Sequence, residues 1–108
     1  MQATVFSALG EPNRLRIVDL LRTSSFAVGE IAETLGIRQP QVSKHLKVLA
    51  ESKIVRVEPR ARRRIYHLQA EAFDQIAHWV GSFEHLWETR LDSLGDYLQT
   101  NEVEEAES

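Results

Sequence analysis

Apolar residues recur along this chain first at helical and then at strand spacing. Val5, Phe6 and Leu9 fall on one side of a short helix predicted over residues 2–9. In EPNRLRIVDLLRTSS, which starts at Glu11, Leu15, Val18 and Leu21 keep helical spacing with Ile17 beside them, and Pro12 suits the first helical position. Thr23-Ser24-Ser25 ends that helix. VGEIAETLG (28–36) places Val28, Ile31, Ala32 and Leu35 on one face, and Gly36 offers a left-handed stop. Pro40 then opens a helix predicted over 39–52. Its stretch RQPQVSKHLKVL (38–49) has apolar residues only at Val42, Leu46, Val48 and Leu49.

The period then changes. IVRVEP (54–59) and RRIYHL (63–68) are rich in β-branched and aromatic residues and flank a basic turn, which reads as a hairpin, or wing. From Ala70 to about Leu98 the helical period returns. Phe73, Ile76, Val80, Phe83, Trp87, Leu91, Leu94 and Leu98 form one stripe, widened by Trp79, Leu86 and Tyr97. That stripe exceeds what a small domain needs for its own core, so part of it is expected to meet a second subunit. The expected fold is mainly α with a small β-hairpin wing: a winged helix-turn-helix of five helices and a two-stranded antiparallel wing. One domain, part of it given to dimerisation, is expected over 1–98. An acidic tail over 99–108, ending NEVEEAES, has little to bury and is expected to be disordered.

Charge sharpens this picture. The net charge of the 108 residues is −3, but it is segregated. Residues 1–37 carry three Arg against four acids; residues 38–68 carry nine Lys or Arg against Glu51 and Glu58, net +7; residues 69–108 carry Arg90 against ten acids, net −9. A basic block inside an acidic chain points to an anionic partner. The absence of cysteine excludes disulfides and thiolate chemistry. No apolar run approaches the roughly 18 residues that span a bilayer and no export signal is visible, so the expected location is cytoplasmic, without a membrane partner. No nucleophile, base and acid are grouped as in an enzyme, and no glycine-rich phosphate loop occurs.

The basic block coincides with the helix over 39–52 and the wing. If Val42, Leu46 and Leu49 pack inward, then Gln39, Gln41, Ser43, Lys44 and Lys47 are left outward or along the edges. A B-form major groove admits one helix, and Gln and Lys can read the donor and acceptor patterns there. Arg60, Arg62, Arg63 and Arg64 crowd the wing over 59–64, where a hairpin can follow a phosphate strand or enter the minor groove. An isolated Lys or Arg is usually just solvated. Helix, turn, helix and basic wing together indicate double-stranded DNA.

The strings ALGEPNRLRIVDLL, VGEIAETLG and QPQVSKHLKVLAESKIVRVEPRARRRIYHL resemble the ArsR/SmtB family of bacterial winged-helix repressors over residues 3 to about 98. The most specific part is QPQVSKHLKVL, whose Ser43, His45, Leu46 and Leu49 match the family's S-x-H-L-x-x-L core. The resemblance implies a homodimeric repressor on a pseudo-palindromic operator, with Gln39, Ser43 and Lys44 at DNA-contact positions. It implies that the first and last helices form the dimer interface, here Val5, Phe6, Leu9, Trp79, Phe83, Leu86 and Trp87. In two respects the chain departs: Arg38 stands where the family usually has a capping Ser, so Arg38 is expected either to loosen the helix start or to reach phosphate itself. Glu11 stands where Asp usually precedes the Pro, a change expected to matter little.

Many relatives sense metals. FAVGEIAE has no Cys, which excludes the thiolate site of the third helix. Asp74, His78, His85 and Glu88 share one polar face of the last predicted helix and are apt for zinc. Their spacing nevertheless departs from the family's D-x-H-x10-H-x-x-E, and the expectation is no metal and no cofactor. A zinc-responsive derepressor using those four residues stands as one alternative, a winged-helix module for protein contacts as another. The inducing signal is not written in the sequence.

Overall fold

Helix ends in this chain lie where side chains can take up loose backbone groups. The computed structural model describes residues 3–86 and 88–90. Helix α1 (Ala3–Leu9) is followed at once by α2 (Pro12–Leu21). Glu11 caps α2, its Oε2 accepting from the Arg14 amide at 2.8 Å, so Glu performs the expected Asp role. Arg14 in turn donates to the Ala8 carbonyl and, at 3.3 Å, to that of Ser7, closing the end of α1. Ile17, Val18 and Leu21 are buried, whereas Leu15 is exposed, one step out of phase with the expected face.

Helix α3 (Val28–Leu35) and helix α4 (Gln39–Glu51) form the helix-turn-helix. Glu30 Oε1 accepts from the Ala27 amide at 2.9 Å and fixes the start of α3. At its end Gly36 has φ 67°, the left-handed stop expected from sequence. Arg16 reaches across from α2 to the Leu35 carbonyl at 2.8 Å, tying the turn to the helix behind it. In α4, Val42, Leu46 and Leu49 are the buried residues, as the spacing predicts. The helix closes with Ile54 N–H to Leu49 O at 2.9 Å and Lys53 N–H to Ala50 O at 3.0 Å. This is a Schellman motif, with Lys53 at φ 60° where glycine is usual and Leu49 and Ile54 both buried.

The wing strands β2 (Val55–Arg60) and β3 (Arg63–Leu68) pair antiparallel around the two-residue turn Ala61-Arg62. The expected two-stranded hairpin is present and is extended by one strand. A two-residue strand β1 (Phe26–Ala27) adds to its edge, giving the order β1-β3-β2 with Phe26 opposite Tyr66 and Ala27 opposite Ile65. The small core joins Val5 and Ala8 of α1, the buried faces of α2 to α4, and Ile54, Val55 and Ala72; no polar or charged residue among those described is buried.

Helix α5 (Ala70–Gly81) is shorter than the single helix expected over 70–98. Ser82 N–H bonds to both His78 O and Trp79 O at 3.0 and 3.1 Å, Phe83 N–H bonds to Val80 O at 3.1 Å, and Ser82 Oγ also donates to Trp79 O. Gly81 weakens a helix interior, and Ser82 offers its hydroxyl to a carbonyl the ladder would use, so the turn tightens there. Helical geometry resumes at 84–86 and 88–90. Contacts divide the chain into two compact units, Met1–Gln75 and Ile76–Ser108. Trp87, the expected helix beyond Arg90 and the expected tail over 99–108 lie outside the described residues.

Candidate nucleic-acid interface

With Val42, Leu46 and Leu49 turned inward, α4 leaves Gln39, Gln41, Ser43, Lys44 and Lys47 exposed, together with Arg38 at its N-cap. Arg38 makes no side-chain capping bond; its carbonyl accepts from the Gln41 and Val42 amides at 3.0 and 3.1 Å. Ser43, Lys47 and Glu51 follow one another at intervals of four, along one edge of the helix. Across from that edge stand Val57, Arg64 and Tyr66 of the wing, and the two walls enclose an open cleft of about 600 Å³. A protein-binding surface would favour apolar anchors on the outer face of α4, and the residues there are polar.

All four wing arginines are exposed, but their surroundings differ. Side chains alternate along a strand. With Arg60 opposite Arg63 and Pro59 opposite Arg64, the first two share one face of the sheet and Arg64 lies on the other, towards the cleft. Like charges directly opposite repel. Here each has an acid: Arg60 lies 3.8 Å from Glu58 Oε1, and Arg63 Nη2 donates to Glu30 Oε1 at 2.7 Å. Arg62 sits in the turn and has no partner among the described residues.

Sequence reasoning missed the polar relay beneath this tip. Glu58 Oε2 lies 2.7 Å from His67 Nε2, and His67 Nδ1 bonds to the Ser25 hydroxyl ahead of β1. A carboxylate only accepts, so Nε2 carries the proton and leaves Nδ1 open to Ser25. The His67 hydrogen bond, first, and then the Arg60 charge hold the Glu58 carboxyl below its ordinary range, against a smaller opposing effect of burial. On the other side of the unit, His45 of α4 lies 3.7 Å from Glu11 Oε2, linking α4 to the cap of α2. His67 does not stand out in sequence, and although His45 belongs to the S-x-H-L-x-x-L motif, its partner is not written there; the Glu58–His67 diagonal needs the hairpin register, and the other pair needs the packing of α2 on α4.

The remaining expected residues are scattered. Val5 is buried at 1% exposure, whereas Phe6 and Leu9 are half-buried. Trp79, Phe83 and Leu86 are exposed, and the rings of Trp79 and Phe83 meet edge to face at 5.0 Å. Asp74, His78, His85 and Glu88 are exposed too. The turn after Gly81 lies between Asp74 and His78 on one side and His85 and Glu88 on the other, and within this one chain no three His or acidic side chains among the described residues come within reach of one cation.

This architecture and its cationic edge define a winged helix-turn-helix DNA-binding protein. A helix-turn-helix domain family matches residues 9–58. The arsenical resistance operon repressor of Staphylococcus xylosus is 30% identical over 74 residues, 68% of this chain and 71% of the relative. The biofilm growth-associated repressor of Xylella fastidiosa is 38% identical over 76 residues, 70% of this chain and 67% of the relative. In structure, the homodimeric winged helix-turn-helix DNA-binding domain of a possible ArsR-family regulator from Mycobacterium bovis superimposes with a TM-score of 0.64 at 30% identity, over 78% of this chain and 80% of that one. The chain belongs to the ArsR/SmtB family of transcriptional regulators. It is a DNA-binding regulator and not an enzyme.

Proposed function

We propose that this protein is a homodimeric repressor that grips a pseudo-palindromic operator, each subunit placing α4 in a major groove and its wing against the flanking backbone. One observation carries this reading. The three residues buried from α4 are spent on holding it to the core, and the exposed remainder offers Gln39, Gln41, Ser43 and Lys44 to base edges and phosphates beside the wing arginines. Pairing of two copies is supported by the homodimeric relative from Mycobacterium bovis and by the exposed apolar residues Trp79, Phe83 and Leu86. Leu9 adds to this on α1, where it lines an apolar groove with Leu15, Val18, Leu68 and Phe73.

Selection of bound duplexes from a random pool tests the reading, with sedimentation measuring the oligomer. The wild type should sediment as a dimer and enrich a sequence with twofold symmetry. Lys44→Ala combined with Arg62→Ala should abolish retention of that duplex and leave the dimer intact. A monomer that enriches nothing, or a double variant that binds normally, defeats it.

A further inference from the structure

We propose that the apolar groove beside α2 is an effector site for a small zwitterion with an apolar side chain, the chemistry of a free hydrophobic amino acid, with its ammonium on Asp19 and its carboxylate on Arg22. The groove lies wholly within the unit Met1–Gln75 and measures about 460 Å³, inside the range of about 300–1,000 Å³ usual for small-molecule sites. Its apolar lining comes from Leu9 at the end of α1, Leu15 and Val18 of α2, Leu68 at the end of β3, and Phe73 in the first turn of α5. Two charged side chains complete it, Asp19 and Arg22.

Leu15, Asp19 and Arg22 follow at steps of four and three, so they share one face of α2. The lining therefore changes from apolar to charged towards the C-terminal end of that helix. Asp19 and Arg22 are spaced for an ion pair with each other, yet neither side chain has an ion-pair or hydrogen-bond partner among the described residues. Two opposite charges one turn apart at the end of an apolar groove complement a molecule that carries ammonium and carboxylate on one carbon and is otherwise apolar. The carboxylate meets the Arg22 fork in two parallel bonds. The ammonium meets Asp19 close to the negative end of the α2 dipole. An amphiphile with a single negative charge has Asp19 against it, and one with a single positive charge has Arg22 against it. Helix α2 also carries the ties to the helix-turn-helix: Arg16 holds the Leu35 carbonyl at 2.8 Å, and the Glu11 cap lies 3.7 Å from His45 of α4. A ligand resting on α2 thus touches the element that supports α3 and α4. Ligand and duplex then change each other's affinity by one common factor.

The test is calorimetry on the full chain with L-phenylalanine as the probe. Three comparison molecules each lack one part: 3-phenylpropionate the ammonium, phenethylamine the carboxylate, and L-serine the apolar group. L-Phenylalanine should bind once per chain, and each of the others at least about tenfold more weakly. Asp19→Asn should bring L-phenylalanine down to the level of 3-phenylpropionate, and Arg22→Gln to that of phenethylamine. Both positions are exposed, so neither variant threatens the fold. In fluorescence anisotropy with a duplex enriched by the wild type, saturating L-phenylalanine should shift the affinity about fivefold, and Arg22→Gln should lose the shift. If 3-phenylpropionate or phenethylamine binds as tightly as L-phenylalanine, the groove takes a singly charged amphiphile and the assignment falls. Failure of L-phenylalanine to bind overturns it outright, and a Leu15→Asn variant that then loses its dimer gives the groove to a second copy. Binding that leaves duplex affinity unchanged removes the effector role. The calorimetry needs no duplex, so a wild type that retains no DNA would strike the repressor reading and leave this site standing.

Discussion

Arg63 Nη2 donates to Glu30 Oε1 at 2.7 Å, across the gap between the wing and the first turn of α3. The same carboxylate oxygen receives the Ala27 amide that starts α3. One wing arginine is thus already committed inside the chain before any duplex arrives, and a phosphate must compete with Glu30 to recruit it.

Removing that competitor should tighten binding. Glu30→Gln keeps an oxygen for the Ala27 amide and drops the charge facing Arg63. Affinity for any duplex should rise about two- to fivefold, with a log–log salt slope up to about one steeper, read by fluorescence anisotropy over a salt series. Because the side chains of the pair are 58% and 49% exposed, thermal stability should change little. Unchanged affinity and slope would mean that Arg63 plays no part at the duplex.

The relay Ser25–His67–Glu58 gives the wing a defined pH response. The Glu58 carboxyl is depressed below its ordinary 4.5, chiefly by the His67 hydrogen bond and then by Arg60. A carboxyl lowered in the folded state adds stability above its unfolded pKa, and that stability is lost as pH falls through the folded value. Acidification from neutrality should therefore leave the wing intact until below the ordinary carboxylate range. Carboxyl NMR titration should place Glu58 below 4.5 in the wild type and return it upwards in His67→Ala. A titration that does not move in the variant assigns the depression to the arginines instead.

Lys53 occupies the left-handed position of the Schellman motif at φ 60°. A residue with a Cβ costs about 1–2 kcal/mol there, part of which glycine returns through its greater freedom when unfolded. Lys53→Gly should stabilise the protein by about 0.5–1 kcal/mol, or roughly 2–6 °C in Tm, by thermal denaturation at neutral pH. Lower stability would show that the lysine stem contributes packing worth more than the backbone strain.

Where the local period was strong, the structure was readable in advance. Val42, Leu46 and Leu49 repeat on one side of a helix, so α4, its buried stripe and its exposed polar edge follow from spacing alone, and Gly36 marks the end of α3. What escaped was either too short or too distant. Strand β1 spans Phe26 and Ala27, and two residues cannot display an alternation; its pairing with β3 is a tertiary event. The interruption after Gly81 was hidden because the apolar stripe continues across it, whereas the competing Ser82 hydroxyl is a hydrogen-bonding effect with no period. The Arg63–Glu30 pair joins residues 33 apart, beyond any local pattern.

Arg38 brings two of these themes into conflict. It stands at the N-cap of α4 in an extended conformation, φ −64° and ψ 137°, where Ser, Thr, Asp or Asn would accept an orphan amide. Pro40 has no N–H, so the Gln41 amide, which now donates to the Arg38 carbonyl at 3.0 Å, is the one a short side chain at this position would share. Arg38→Ser should supply that acceptor and stabilise the fold by about 0.5–1 kcal/mol. The same change removes an exposed cation beside the start of α4, where the positive end of the helix dipole favours a phosphate. Duplex affinity should then fall about tenfold and the log–log salt slope by about one. Denaturant unfolding and anisotropy on one variant would measure both. Opposite signs for stability and binding would show that this chain gave up a helix cap for a phosphate contact; a gain in both would leave Arg38 as a solvated residue at a poorly capped helix end.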